Sequence, residues 1–234
     1  MERIKKNIAN AVTSLNLVSG CLSVVYSFQH DYTTAVFFLL LASVFDFADG
    51  FVARLLHAHS LLGKELDSLG DMVSFGVAPG IMLFTFLTPI NSTLAYIAFL
   101  IPVFSAYRLA KFNIDVRQTS SFIGLPTPAN AIFWMFLIKN VSEESSLVSR
   151  MNSLSNLIII SVLVLLFCFL MVSEIPMFSL KFKTFTWKDN KLRFTFLLLS
   201  LLLIVLFQTK AFPFIIVLFV AISVASNIFS KKKS

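Results

Sequence analysis

DFADGFVARLLHAHSLLGKELDSLGD, residues 46–71, sets four carboxylates, Asp46, Asp49, Asp67 and Asp71, inside or beside long apolar runs. An ionised group in apolar surroundings is costly unless something positive neutralises it. Asp46 and Asp49 are three residues apart, and Asp67 and Asp71 four, so each pair shares one helix face. Two neighbouring helices can turn both pairs toward one point. A set of interhelical salt bridges is one way to satisfy them, but the stretch offers only Arg54 and Lys64 as fixed cations. Hard divalent cations held by carboxylate oxygens are the simpler answer. Gly50 and Ala53 follow on the first face and let a bulky ligand approach the backbone. Gly63 is expected to close a short link between the two helices.

The remaining sequence says what solvent these helices stand in. Of 234 residues, 57% are hydrophobic, against ~45–50% in soluble domains. Apolar runs fall at residues 10–29, 33–56, 67–87, 93–112, 126–140, 155–173, 194–207 and 211–229. The chain therefore reads as an all-α polytopic integral membrane protein of about eight transmembrane helices, one domain over 1–234. The seventh run is short for a ~20-residue crossing, so its start is expected to reach back toward Lys191. Residues 57–66 read as a link and 141–154 as a polar loop. Basic and aromatic residues interleave over 174–193, which suits an interface with anionic lipid.

The net charge of +7 raises nucleic acid as a partner. Its distribution excludes that, because the basic residues sit in short loops and form no face with stacking aromatics. Eight spans place both termini on one side. Of the 19 lysines and arginines, only Lys139, Arg150 and Lys210 then fall on the other. That asymmetry places the termini and the 57–66 link in the cytoplasm, with the protein in the cell membrane.

The two cysteines, Cys21 and Cys168, lie in apolar runs and read as small buried hydrophobes rather than a disulfide framework. Residues 17–21, LVSGC, look like a lipoprotein processing box. The preceding Asn10, Thr13, Ser14 and Asn16 are too polar for a signal-peptide core. His30, His57 and His59 fall in loops, where interfacial solvation is the expected role. Asn10, Thr13, Asn16 and Ser19 recur at three-residue spacing on the first span. Such a stripe wants a protein or ligand partner, and periodicity alone leaves both open.

Asp-x2-Asp-Gly-x2-Ala-Arg-x8-Gly-x3-Asp-x3-Asp is complete here, at Asp46, Asp49, Gly50, Ala53, Arg54, Gly63, Asp67 and Asp71. It resembles the signature of the CDP-alcohol phosphotransferase family. Four further stretches resemble the phosphatidylserine synthase branch. They are Asn10-x2-Thr13-x2-Asn16-x3-Gly20, residues 66–79 (LDSLGDMVSFGVAP), residues 108–113 (RLAKFN) and residues 124–129 (GLPTPA). Two departures stand out. Ala9 replaces a frequent Pro, and Lys111 stands where Arg is commoner, which would weaken a fork gripping a carboxylate.

The resemblance covers about the first 180 residues. It implies a six-helix core, followed here by a C-terminal hairpin. It further implies transfer of a phosphatidyl group from CDP-diacylglycerol to L-serine, with release of CMP. By the same resemblance, Asp46, Asp49, Asp67 and Asp71 hold a divalent metal, Mg2+ or Mn2+, as two ions. Asp71 is the base for the incoming hydroxyl. Thr13, Asn16, Asp49, Gly50, Ala53, Arg54 and Gly63 border the nucleotide. Arg108, Lys111 and Asn113 face the acceptor and phosphate. Relatives are commonly dimers, so a homodimer is expected. The rival within the family is another acceptor: glycerol phosphate, inositol phosphate or choline. From another class, a cation or proton transporter would also carry intramembrane carboxylates. Transporters tend to show inverted repeats and broken helices, and the sequence shows neither.

Overall fold

Short polar side chains mark where the helices begin. The computed structural model describes residues 2–58, 60–115, 122–151, 153–180 and 186–231. Helix α1 (Glu2–Phe28) ends in a turn where His30 takes a left-handed φ of 58°. Asp31 then caps α2 (Tyr32–Leu55), its carboxylate accepting from Thr34 N at 3.0 Å. His57, with φ 50°, lies in the turn that follows α2. Ser60 caps α3 (Leu61–Asp71) by accepting from Gly63 N at 2.9 Å. The helix runs on through a π-helical turn, Met72–Val77, into α4 (Ala78–Leu87). Asn91 caps α5 (Ser92–Ala95), which passes through a 3₁₀ turn into α6 (Leu100–Ile114).

Strand β1 (Phe122–Ile123) precedes α7 (Thr127–Ser142), a short α8 (Ser145–Met151) and α9 (Leu154–Val172). Strand β2 (Pro176–Met177) pairs antiparallel with β1, Phe122 opposite Met177. Helices α10 (Trp187–Phe207) and α11 (Ala211–Lys231) form a hairpin around Gln208, whose φ is 51°.

Among the described residues, six segments are long and apolar enough to cross a membrane, and the last, Asn190–Ile228, contains both arms of the hairpin. Helix α7 has only 16 residues. It is nonetheless the centre of the bundle, packing against α2, α4, α6, α9 and α11. Trp134, Met135 and Ile138 are fully buried there. Counting α7 and both hairpin arms, the described residues give the eight expected spans, in an all-α polytopic membrane fold.

Local differences from the sequence-based expectation have local causes. The link after α2 is shorter than 57–66, because the Ser60 cap restarts the helix at Leu61. Gly63 therefore sits in the first turn of α3. A Cβ there would stand 3.0 Å from Ser60 Oγ and 3.1 Å from Asn10 Oδ1, so its smallness brings α1 and α3 together. The loop 141–154 contains α8, and α10 starts at Trp187, with non-helical backbone at Asn190. Cys168 is buried as expected, whereas Cys21 is exposed on the outer face of α1. His59, Arg117, Lys181 and Lys183 lie outside the described residues.

Helix α1 shows how the fold is held. Its inward face carries Thr13, Asn16, Ser19, Ser23 and Ser27, all buried, while Leu15, Val18 and Val25 are exposed. Between membrane helices apolar burial gives little drive, so small residues and hydrogen bonds set the close contacts. Gly76 and Gly80 do the same toward α6. A Cβ would meet Ser105 Cβ at 2.9 Å from Gly76 and Pro102 Cδ at 2.7 Å from Gly80.

Candidate active site

The end of α2 and the length of α3 supply the four carboxylates, and α1 packs along both helices. One oxygen each from Asp46, Asp49 and Asp67 lies within 4.8 Å of the others. Asp71, one turn beyond Asp67, stands beside Asp46 and accepts a hydrogen bond from Asn16 Nδ2 at 3.2 Å. Asp49 Oδ2 and Asp67 Oδ1 are buried with no hydrogen-bond partner among the described residues. No lysine or arginine among the described residues pairs with any of the four. Buried carboxylate oxygens that converge without donors or cations are the arrangement a hard divalent cation requires. The donor set fits such a metal.

Asp67 is the wall between two cavities. The first, about 220 Å³, opens between α1, α2 and α3. Asn10 and Thr13 line it from α1, Asp49, Gly50 and Ala53 from α2, and Gly63, Lys64 and Asp67 from α3. The Thr13 hydroxyl lies beside the Asp49 carboxylate. A Cβ on Gly50 would meet nothing within 4 Å, so the glycine leaves that side of the cavity open. The second cavity, about 210 Å³, lies on the other side of Asp67, with Asp71, Arg108, Asn113 and Thr127 around it.

Arg108 is 3% exposed. Its Nε donates to Leu125 O at 3.2 Å, and its Nη1 is buried without a partner among the described residues. Leu125 is itself fixed by the end of α9, donating its N–H to Leu170 O at 2.9 Å. The turn before it needs glycine. Gly124 has φ +78° and a Cβ there would stand 2.6 Å from Met171 O. The guanidinium is thus held through Nε with Nη1 unsatisfied, beside a cavity that Asp67 and Asp71 also line.

Most residues singled out in the sequence converge here. Four do not line the cavities, and of these Asp46 contributes to the carboxylate cluster itself. Arg54 is exposed on α2, one position past Ala53. Lys111 donates to Val172 O at 3.4 Å and to Glu174 at 3.3 Å. Asn16 is wholly buried and turned toward Asp71. Asn113 does line the second cavity, with its amide donating to Ser68 Oγ at 2.8 Å. The structure adds Ser60, Lys64, Ser68 and Thr127 to the lining. Lys64 had a readable sign, a cation next to Gly63 in the signature. Thr127 lies in the 124–129 stretch, whose resemblance to the family marked it as cavity wall.

A family model described as CDP-alcohol phosphatidyltransferase matches residues 6–165. A CDP-diacylglycerol–serine O-phosphatidyltransferase of Methanocaldococcus jannaschii is 36% identical over 170 residues, 72% of each chain. One of the same name from Saccharomyces cerevisiae is 38% identical over 138 residues, 52% of this chain and 50% of the relative. An archaetidylserine synthase of Methanothermobacter thermautotrophicus is 33% identical over 159 residues, 66% of this chain and 68% of the relative. The chain spans about half the length of several of the curated relatives it matches.

Proposed function

The chain belongs to the CDP-alcohol phosphatidyltransferase family, and from that premise we propose that it moves a phosphatidyl group from CDP-diacylglycerol to the hydroxyl of L-serine. The products are phosphatidylserine and CMP. The observation that carries the proposal is the shared wall. Asp67 separates a cavity beside the nucleotide signature residues from one holding Asp71 and Arg108.

Each cavity has a task. The cavity of Thr13, Gly50, Ala53, Gly63 and Lys64 takes the cytidine and the near side of the diphosphate. Asp46, Asp49, Asp67 and Asp71 would hold divalent cations, Mg2+ or Mn2+, as a pair. A bound cation there neutralises the diphosphate and the departing phosphate. On the far side, Arg108 offers the free edge of its guanidinium to the serine carboxylate, a planar fork for a planar anion. Asp71 takes the serine hydroxyl proton as the oxygen bonds to the lipid-bearing phosphorus. The bond from that phosphorus to the CMP oxygen breaks, and CMP carries the electron pair away. Relatives named for transfer to serine support the acceptor. The loop charges support an active site facing the cytoplasm, and family analogy supports a homodimer.

Purified protein given CDP-diacylglycerol, Mn2+ and a panel of acceptors tests this. CMP release that requires serine and metal is expected. Release with glycerol 3-phosphate or inositol phosphate but not serine would overturn the acceptor assignment.

A further inference from the structure

The four carboxylates are not equivalent. Asp46, Asp49 and Asp67 bring oxygens to one place. Among the described residues, Asp71 is the one of the four that receives a hydrogen bond from a side-chain amide, Asn16 Nδ2 to Oδ1 at 3.2 Å. A carboxylate only accepts, so the amide presents its nitrogen.

Asn16 is itself fixed to the segment that carries Asp71. Its backbone carbonyl accepts from Ser74 Oγ at 3.0 Å, and both residues are fully buried. Gly70 lies against the amide, where a Cβ would stand 3.4 Å from Nδ2. Gly20, one helical turn along α1, leaves room for Ser74, which a Cβ would otherwise meet at 2.4 Å. The π-helical turn begins at the next residue, Met72, so the local backbone departs from α-helical register just past Asp71. Thr13, one turn earlier on α1, lines the nucleotide cavity, whereas Asn16 does not. Its Oδ1 is buried without a partner among the described residues, so the amide is retained at the cost of an unsatisfied acceptor.

We infer that Asn16 is a positioning residue for Asp71. By engaging Oδ1 from the α1 side, it sets the carboxylate plane of Asp71, which stands beside Asp46 but is not one of the three converging ligands. One Asp71 oxygen is thereby kept for the acceptor hydroxyl, and the amide does not serve the nucleotide. This rests on the reading of Asp71 as the base.

The test is kinetic and calorimetric. Asn16→Ala is expected to lower kcat by about 10²-fold, the scale of a misplaced reacting group. KM for CDP-diacylglycerol should stay within about threefold. Mn2+ affinity of the substrate-free protein, measured by calorimetry, should be unchanged or tighter, because a released Asp71 can join the trio. Should Asn16→Ala fail to fold, Asn16→Leu, closer in volume, carries the same test, and Ser74→Ala loosens the same anchor from outside the amide. Unchanged kcat, or a raised KM for CDP-diacylglycerol at unchanged kcat, would overturn the inference. So would loss of Mn2+ binding in a folded variant. Asp71→Asn run beside it separates the two claims. If Asp71→Asn turns over normally, the base assignment fails. If it is inactive while Asn16→Ala is fully active, only the positioning role fails.

Discussion

The two ends of the bundle use acidic residues in opposite ways. At the end away from the aspartate cluster, Glu143 and Glu144 each have a lysine. Glu143 pairs with Lys139 at 2.7 Å and Glu144 with Lys210 at 3.1 Å. Thr33 adds a hydrogen bond to Glu143 at 3.1 Å, tying the start of α2 to the end of α7. A wide cavity of about 730 Å³ lies at this end, bordered by His30, Asp31, Glu143 and Ser145. At the other end, Asp46, Asp49 and Asp67 crowd together with no salt bridge to a lysine or arginine among the described residues. Charge satisfied by a neighbouring lysine ties loops together. Charge gathered and left unsatisfied inside a membrane fold is held for a ligand. Size does not mark the chemistry: the cavity of about 730 Å³ is bordered by the paired Glu143 and by Asp31, which caps α2, whereas the cavities of about 220 and 210 Å³ flank the unpaired carboxylates.

The sharpest way to break this contrast is Asp67→Asn. It removes a carboxylate that belongs to the trio and borders both cavities. Turnover should fall by at least about 10³-fold, the several kcal/mol that metal-assisted charge stabilisation supplies. Calorimetry on the substrate-free protein should show Mn2+ affinity lost in parallel. Retained Mn2+ binding would mean that the cluster is not a metal centre, and the contrast between the ends would lose its basis.

Arg108→Lys comes next. It keeps a positive charge but removes the second donor edge. A hydrogen bond to a charged group contributes ~1.5–3 kcal/mol, so about 10- to 100-fold in kcat/KM is expected. The loss should fall chiefly on KM for serine, with KM for CDP-diacylglycerol and Mn2+ affinity left nearly unchanged. An equal loss for both substrates would place Arg108 in the scaffold rather than in the acceptor cavity. That outcome has a physical route, since Arg108 Nε also anchors Leu125 O.

Much of this end was legible in the sequence because spacing on a helix fixes a face. The i, i+3 and i, i+4 aspartates predicted convergence, and the stripe through Thr13, Asn16 and Ser19 predicted the buried side of α1. A face, however, is not a neighbour. Periodicity could not say that Thr13 would reach the cavity between α1, α2 and α3 while Asn16, one turn on, would meet Asp71. That depends on how α3 crosses α1, which Gly63, Gly70 and Gly20 set by close approach. Lys111 shows the same limit. It shares the end of α6 with Asn113, yet its ammonium is taken by Val172 O and Glu174, which lie far along the chain. Strands β1 and β2 are two residues each, too short to leave an alternating pattern. The pairing of Glu143 and Glu144 with lysines was equally unreadable where it reached Lys210, 66 residues away in sequence from Glu144.

The paired end supplies the smallest expected effect, and it is the control for the rest. The Lys139 ammonium beside Glu143 holds its carboxyl below the ordinary value of 4.5, with Thr33 helping. A depressed acid contributes stability above its unfolded value and loses it as pH falls through its folded one. The contribution of Glu143 is therefore complete at neutral pH and fades as pH drops below 4.5. Exposed pairs contribute no more than about 1 kcal/mol. Glu143→Gln should then lower thermal stability slightly at pH ~7, and the difference from the parent protein should vanish at pH ~3. Serine-dependent CMP release and Mn2+ affinity should not move, because Glu143 lies in neither cavity beside the aspartates. A large loss of turnover in this variant would mean that charge at the two ends is coupled. The division between acids that fasten loops and acids that await a ligand would then have to be redrawn.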